Sequence, residues 1–156
     1  MMMLIIYDTI LMVFTVFLNM INSRVISTWN VRTLKRPGKL QEVGKKLDKY
    51  QVKTAAIQET RWKGQGMIVL GEHLMMYSSG NTGLYATAFL LHRSMKANVI
   101  GFPVVSDRMC SLRIRAKIFC VTIVNVYALM EEADEDAKDN FMPNWKKKLV
   151  KFKGTM

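Results

Sequence analysis

A strand–helix–strand pattern near the start of the chain constrains the fold more than any other feature. Val25 to Asn30 is rich in β-branched and aromatic residues, which is typical of a strand. After a break at Pro37–Gly38, apolar residues recur at helical spacing up to Tyr50, and the short apolar segment Thr54 to Gln58 follows. Two strands joined by a helix in this order predict an α/β domain with a βαβ crossover.

The rest of the body reads as loops and further strands. Five glycines between positions 64 and 83 indicate loops. A tight turn at Ala116 would join the last two strands into a hairpin, pairing Cys110 with Thr122 and Cys120 with Leu112. The two cysteines would then be near each other but not opposite, so we expect buried reduced thiols. The predicted strands are Thr87 to Leu91, Asn98 to Phe102, Arg108 to Arg115 and Lys117 to Tyr127.

The composition limits the class of protein and its partners. The formal net charge of +11 makes polyanions the expected partners, either nucleic acid or an acidic membrane surface. Arg24 to Lys63 alone carries eleven basic and three acidic residues, although a solvated helix face would look the same. Two cysteines form no disulfide framework, so a reducing, intracellular compartment is expected, either nucleus or cytoplasm.

Three polar residues stand where predicted strands end. Asn30 ends the first strand, Glu59 follows the second and Tyr127 ends the last. Neighbouring strand ends of a layered α/β domain meet at one sheet edge, where ligands bind. One carboxylate beside neutral oxygen donors suits Mg²⁺, which keeps several of its waters. The ordinary alternative is a turn residue at Asn30 and an exposed loop acid at Glu59.

Five sequence segments carry a resemblance: TWNVRTL (28–34), AIQETRW (56–62), VNVYA (124–128), PGKL (37–40) and VIGFPVVSDR (99–108). The first three resemble motifs of the endonuclease–exonuclease–phosphatase superfamily. All five together are most similar to the apurinic-type endonuclease domain of non-LTR retrotransposons and to relatives named craniofacial development protein 2. The resemblance covers roughly Val25 to Asn140.

The resemblance implies the N-terminal half of a four-layer α/β sandwich with mostly antiparallel sheets, and phosphodiester hydrolysis with Mg²⁺ or Mn²⁺. By this match, Glu59 would ligate the metal, Asn30 would orient the metal-site groups as a further ligand, and Tyr127 would approach the scissile phosphate. Since Glu59 is the only strong ligand that can be placed, weak metal binding is expected.

Departures from the family pattern limit the expected activity. The family's Asp-x-Asn and Ser-Asp-His motifs, which follow the tyrosine segment and position the attacking water, have no match after Tyr127. His73 and His92 precede that place and are interpreted as ordinary residues. The expected function is therefore a truncated phosphodiesterase domain of retrotransposon origin without efficient catalysis. The alternatives are a basic fragment that binds nucleic acid without cleaving it, and a membrane-tethered fragment.

Three segments are expected. Residues 1–22 form an apolar leader with Asp8 as its only charge, residues 23–143 form the partial nuclease-type domain, and residues 144–156 form a lysine-rich tail. The leader is long enough to cross a membrane as a helix, but an extra apolar helix, an upstream extension or a weak signal would fit as well. The apolar last strand expects cover on both faces, which the family's missing C-terminal part would supply.

Overall fold

The computed structural model describes residues 2–7, 25–116 and 119–128. These residues form a mixed α/β structure in which strands predominate and most neighbouring strands are antiparallel. The elements are β1 (Met2–Tyr7), β2 (Val25–Asn30), α1 (Lys39–Lys49), β3 (Val52–Gln58), β4 (Gln65–Leu70), β5 (His73–Ser78), β6 (Thr87–His92), a 3₁₀ helix (Arg93–Asn98), β7 (Val99–Gly101), β8 (Val104–Ser106), β9 (Met109–Arg115) and β10 (Cys120–Val126).

The first sheet has the order β2-β3-β6-β5-β4. Strands β2 and β3 are parallel and are joined through α1, so the predicted βαβ crossover is confirmed. Strand β6 then runs antiparallel to β3, with Thr87 opposite Gln58. This register places the end of β2, the end of β3 and the start of β6 at the same edge of the sheet.

The first sheet also corrects the interpretation of the glycine-rich region as loops. Gln65–Leu70 and His73–Ser78 form the hairpin β4–β5. Gly71, at a φ of 54°, makes the tight turn that joins the strands. Gly66 lies within β4, where the Cβ atom of any other residue would lie 2.8 Å from the Tyr77 hydroxyl oxygen. The glycines thus mark a turn and a close approach, and the apolar runs between them are strands.

The second sheet has the order β1-β10-β9-β7, with β8 also paired to β9. The β9–β10 hairpin forms, but the predicted register is wrong: Cys110 lies opposite Asn125, and Cys120 lies opposite Arg115. The connection is longer than the predicted tight turn, since the Ala116 N–H donates to the Phe119 carbonyl. Cys110 is buried, as expected, whereas Cys120 is half-buried, and burial raises the pKa of the Cys110 thiol to about 12.

Two apolar layers hold these elements together. Helix α1 packs Val43 and Leu47 against the outer face of the first sheet. The inner faces of the two sheets meet around Phe89, Leu112 and Ile123, which are fully buried. The second sheet that the sequence analysis assigned to a missing C-terminal part is therefore already begun by β9 and β10 within this chain.

The N-terminal residues differ from the expected apolar helix. Met2–Tyr7 is a strand that pairs parallel with β10, with Tyr7 opposite Val126. The rest of the predicted leader, residues 8–22, lies outside the described residues, as does the predicted lysine-rich tail. No helix within the described parts of the chain is long and apolar enough to cross a membrane.

Candidate functional site

The structure brings Asn30, Glu59 and Tyr127 together at one edge of the sheets. Asn30 ends β2, Glu59 directly follows β3, and Tyr127 directly follows β10. The Asn30 side-chain amide donates to the Glu59 Oε1 atom at 2.7 Å, and the Tyr127 hydroxyl donates to the same oxygen at 3.1 Å. The Glu59 side chain keeps 16% of its surface exposed, so its carboxylate is oriented by neighbours yet open to a ligand.

A buried amide network fixes the strand ends that carry these residues. Asn125, fully buried in β10, donates to the carbonyls of Ile57 in β3 and Ala88 in β6 at 3.0 and 2.9 Å. The Gln58 side-chain amide donates to the Asn125 side-chain oxygen at 2.7 Å and to the Thr28 hydroxyl at 3.0 Å. Since buried polar groups need partners, this network ties the second sheet to the first in one register directly beneath Glu59.

The backbone around Glu59 is strained. Arg32, Glu59 and Arg61 have φ values of 61°, 57° and 59°, which are left-handed conformations that non-glycine residues seldom adopt. Such conformations persist only where neighbouring structure enforces them, and they concentrate at functional sites. Here a hydrogen bond from the Thr60 N–H to the Ala86 carbonyl provides such enforcement.

Basic side chains border the acid on one side. The Arg61 guanidinium lies 3.7 Å from the Glu59 Oε2 atom and donates through Nε to the Arg32 carbonyl at 2.9 Å. The Arg32 N–H in turn donates to the Asn30 side-chain oxygen at 2.9 Å. Asn30 thus uses its amide nitrogen to hold Glu59 and its oxygen to hold the following loop.

An aromatic pair and a further arginine border the site on the other side. Tyr85, from the loop between β5 and β6, stacks with Tyr127 at a centroid separation of 6.1 Å and an angle of 28°. The Arg108 guanidinium carbon lies 3.3 Å from the centre of the Tyr85 ring and 5.6 Å from that of Tyr127. The Tyr127 N–H donates to the Arg108 carbonyl, which fixes the spacing of these residues.

The donor set limits which metal this edge could hold. Among the described residues, no three His, Cys, Asp or Glu side chains cluster together, so Glu59 is the one carboxylate that this edge is seen to offer. One oriented carboxylate fits Mg²⁺ or Mn²⁺, because Mg²⁺ retains waters and commonly uses substrate phosphate as a ligand. The residues present therefore fit a hard cation that would take one carboxylate and complete its coordination with water or phosphate oxygens.

The two histidines lie away from this edge. His73 begins β5 and His92 ends β6, at the far end of the first sheet from Glu59. His73 lies 3.1 Å from Asp48 of α1, and the Nδ1 atom of His92 lies 2.8 Å from the Ser94 hydroxyl. Neither imidazole is placed to act on a group bound at Glu59.

Sequence reasoning missed the residues that support the site. Asn125 lies between Val124 and Val126, and a carboxamide inside so apolar a strand is a signal of a buried polar contact. Tyr85 and Arg108 gave no local signal, because only the folded sheets bring their two loops together.

The chain is similar to known proteins over much of its length. It is 33% identical to craniofacial development protein 2 of Tragulus javanicus and 32% identical to that of Bos taurus, in each case over 112 residues. These matches cover 70% of this chain but 19% of each relative, so the chain spans about a fifth of their length. The predicted resemblance to craniofacial development protein 2 is thereby confirmed. No protein-family model matches the chain.

A solved structure with a similar arrangement is the AP endonuclease LMAP from Leishmania major. It is 14% identical, and the match covers 65% of this chain and 39% of that protein, with a TM-score of 0.47.

Proposed function

From the confirmed likeness to craniofacial development protein 2, we propose that residues 25–128 form part of a metal-dependent phosphodiesterase domain of the endonuclease type, retrotransposon-derived, and the N-terminal half of a four-layer sandwich. Its ligand is nucleic acid, which it meets in the nucleus or cytoplasm. Glu59 ligates Mg²⁺ or Mn²⁺, Asn30 orients that carboxylate and completes the metal site, and Tyr127 contacts the scissile phosphate.

One observation carries this proposal: a single carboxylate oxygen accepts hydrogen bonds from both Asn30 and Tyr127. Two donors on Oε1 leave Oε2, near Arg61, as the freer oxygen for a cation. A metal bound there would polarise a phosphoryl oxygen and stabilise the leaving group. In this proposal, the Tyr127 hydroxyl exchanges its hydrogen bond to Glu59 for one to a phosphate oxygen.

This chain binds its substrate better than it cleaves it. Attack by water needs a base and groups that orient the water, and such help is worth about 10²–10⁴-fold in rate. Both histidines lie at the far end of the first sheet, and among the described residues Glu59 belongs to no cluster of three or more His, Cys, Asp or Glu side chains. We therefore expect nucleic-acid binding and metal-assisted contact to phosphate, but no efficient turnover.

Metal-dependent binding of a short DNA duplex tests the proposed site. We expect Mg²⁺ to tighten binding by wild-type protein at least several-fold, because the ion would bridge Glu59 and a phosphate. Glu59→Gln should lose this enhancement, since a neutral amide is a poor ligand for Mg²⁺. The matched control is Glu72→Gln, which removes an exposed acid paired with Arg93 at the far end of the first sheet. Full enhancement in Glu59→Gln would contradict the assignment of Glu59.

A nicking assay on supercoiled plasmid tests the expected lack of turnover. Wild-type protein with Mg²⁺ should nick no faster than Glu59→Ala, measured with protein free of host nucleases. Nicking that scales with protein and metal and disappears in Glu59→Ala would mean that residues of this chain replace the missing motifs.

The second candidate function is nucleic-acid binding without any metal site. The basic segment Arg24 to Lys63, with its net charge of +8, favours it. Such binding would weaken steeply with salt and would respond to Mg²⁺ only as to any added salt. Enhancement by Mg²⁺ in the duplex assay separates the two functions.

A further inference from the structure

Arg108 is held in an unusual setting beside the candidate site. It comes from the connection between β8 and β9, and its guanidinium carbon lies 3.3 Å from the centre of the Tyr85 ring. The ring of Tyr127 lies 5.6 Å away on the same cation. Two aromatic rings therefore lie against the guanidinium, and one of them carries the phenol that donates to Glu59.

The positive charge of Arg108 has no carboxylate partner among the described residues. Three other arginines are paired with acids: Arg36 with Glu42, Arg61 with Glu59, and Arg93 with Glu72. Arg108 forms no such pair there, although it is partly buried. Aromatic stacking occupies the face of a guanidinium and leaves its in-plane N–H groups able to donate.

We propose that Arg108 is a phosphate-binding residue for a nucleic-acid strand, with Tyr85 as the positioning residue that holds its plane. A planar guanidinium can donate two parallel hydrogen bonds to two oxygens of one phosphate. A lysine ammonium cannot, because it is a compact point charge without this planar geometry. Arg108 lies next to Tyr127 rather than on Glu59, so it binds a phosphodiester of the strand beside the metal-site phosphate. The proposal deepens the proposed function, on which it rests for the identity of the ligand.

Salt-dependent DNA binding in EDTA tests Arg108 separately from the metal. The logarithm of the binding constant falls with the logarithm of salt concentration, with a slope set by the number of neutralised phosphates. We expect Arg108→Gln to reduce the magnitude of that slope by about one and to weaken binding roughly tenfold at about 0.1 M salt. The matched control Arg93→Gln removes an arginine that is already paired with Glu72 and should leave the slope unchanged.

Conservative variants distinguish a phosphate contact from a structural role. Arg108→Lys keeps the charge and should keep the slope, but it should bind more weakly than wild type because the planar fork is lost. Tyr85→Phe keeps the stacking ring and should bind like wild type, whereas Tyr85→Leu should weaken binding. Circular dichroism and thermal unfolding establish that each variant is folded before it is compared.

Two results would overturn the inference. One is a slope and an affinity of Arg108→Gln equal to those of wild type, and the other is an equal loss in Arg93→Gln, which would indicate general charge. Failure of the proposed function would give a different result. In that case Glu59→Gln would keep the Mg²⁺ enhancement of DNA binding, whatever the effect of Arg108→Gln on binding in EDTA.

Discussion

The two ends of the first sheet use polar residues in opposite ways. At the site end, one carboxylate, Glu59, collects donors from β2 and from the segment after β10, above an amide network that joins the two sheets. At the far end, polar side chains form pairs close to solvent, such as Arg93 with Glu72, whose side chains are 66% and 56% exposed. Titratable groups also lie at the far end, where His73 pairs with Asp48 and His92 contacts Ser94.

The difference shows that convergence and enforced strain, rather than the number of ionisable groups, mark the candidate site. Exposed ion pairs of the far-end type contribute about 0–1 kcal/mol and tolerate change. The site end instead keeps Arg32, Glu59 and Arg61 in left-handed backbone, at a cost of roughly 1–2 kcal/mol for each residue. Gln51, directly before β3 at the far end, is left-handed as well, at a φ of 55°, so it is the group of three such residues around Glu59 that distinguishes the site end.

The largest effect is expected at Asn125. Asn125→Leu leaves the carbonyls of Ile57 and Ala88 and the amide of Gln58 without their partner in a buried setting. We expect the free energy of unfolding to fall by about 3–5 kcal/mol, since each orphaned buried group costs about 1–3 kcal/mol. Urea unfolding measures this loss of stability, provided that the m-value is the same for the variant and the wild type.

A matched asparagine at the far end provides the control. Asn98 donates to the Arg115 carbonyl at 3.0 Å in an exposed setting, where water can replace the lost partner. Asn98→Leu should therefore cost less than about 1 kcal/mol. If both substitutions cost the same, the amide network does not distinguish the two ends.

Glycine substitutions at the two ends should have an intermediate effect on the free energy of unfolding, and the two effects should be opposite in sign. Arg32 has a left-handed backbone, and replacing it with glycine removes a conformational cost of about 1–2 kcal/mol from the folded state. This gain exceeds the roughly 0.5–1 kcal/mol that is lost because glycine gives up more backbone entropy on folding. The variant should be more stable by about 0.5–1 kcal/mol. Lys96→Gly, in the 3₁₀ helix of the far end and outside the set of left-handed residues, should be less stable by a similar amount.

Thermal unfolding of both glycine variants measures this contrast. Loss of stability in Arg32→Gly equal to that in Lys96→Gly would mean that the backbone at Arg32 carries no strain. The contacts of Arg32 to Asn30 and Arg61 are made by its backbone N–H and carbonyl, so they are kept in the variant.

The sequence predicted the parts of this comparison that depend on local pattern. The βαβ unit follows from the periodicity of residues 25–58, and the meeting of Asn30, Glu59 and Tyr127 follows from their positions at strand ends. The roles of these three residues stay predictions. The β4–β5 hairpin was missed because its glycines were weighed above the apolar runs between them, and the β9–β10 register was wrong because the turn length is not readable from Ala116 alone. Tyr85 and Arg108 depend on two loops that only the fold brings together.

The smallest effect is expected from His92 at the far end. Burial, and next the positive charge of Lys53, hold the pKa of His92 below its ordinary value of 6.5; His73 acts in the same direction, and Asp48 and Glu72 oppose it. With the pKa lowered in the folded state, the unfolded chain binds more protons between the two values. The contribution of His92 to stability is therefore present above about pH 6.5 and is lost as the pH falls through the lowered folded value.

Urea unfolding at pH 7.5 and pH 5.5 isolates this contribution. Wild-type protein should lose slightly more stability on acidification than His92→Gln, which has no imidazole to titrate there. Lys53→Gln should keep most of the wild-type loss, because burial rather than Lys53 is the larger cause. An equal loss in wild type and His92→Gln would mean that the imidazole titrates alike in the folded and unfolded chains. Such a result would leave the far end with no measurable electrostatic role, and would widen the contrast with the site end rather than remove it.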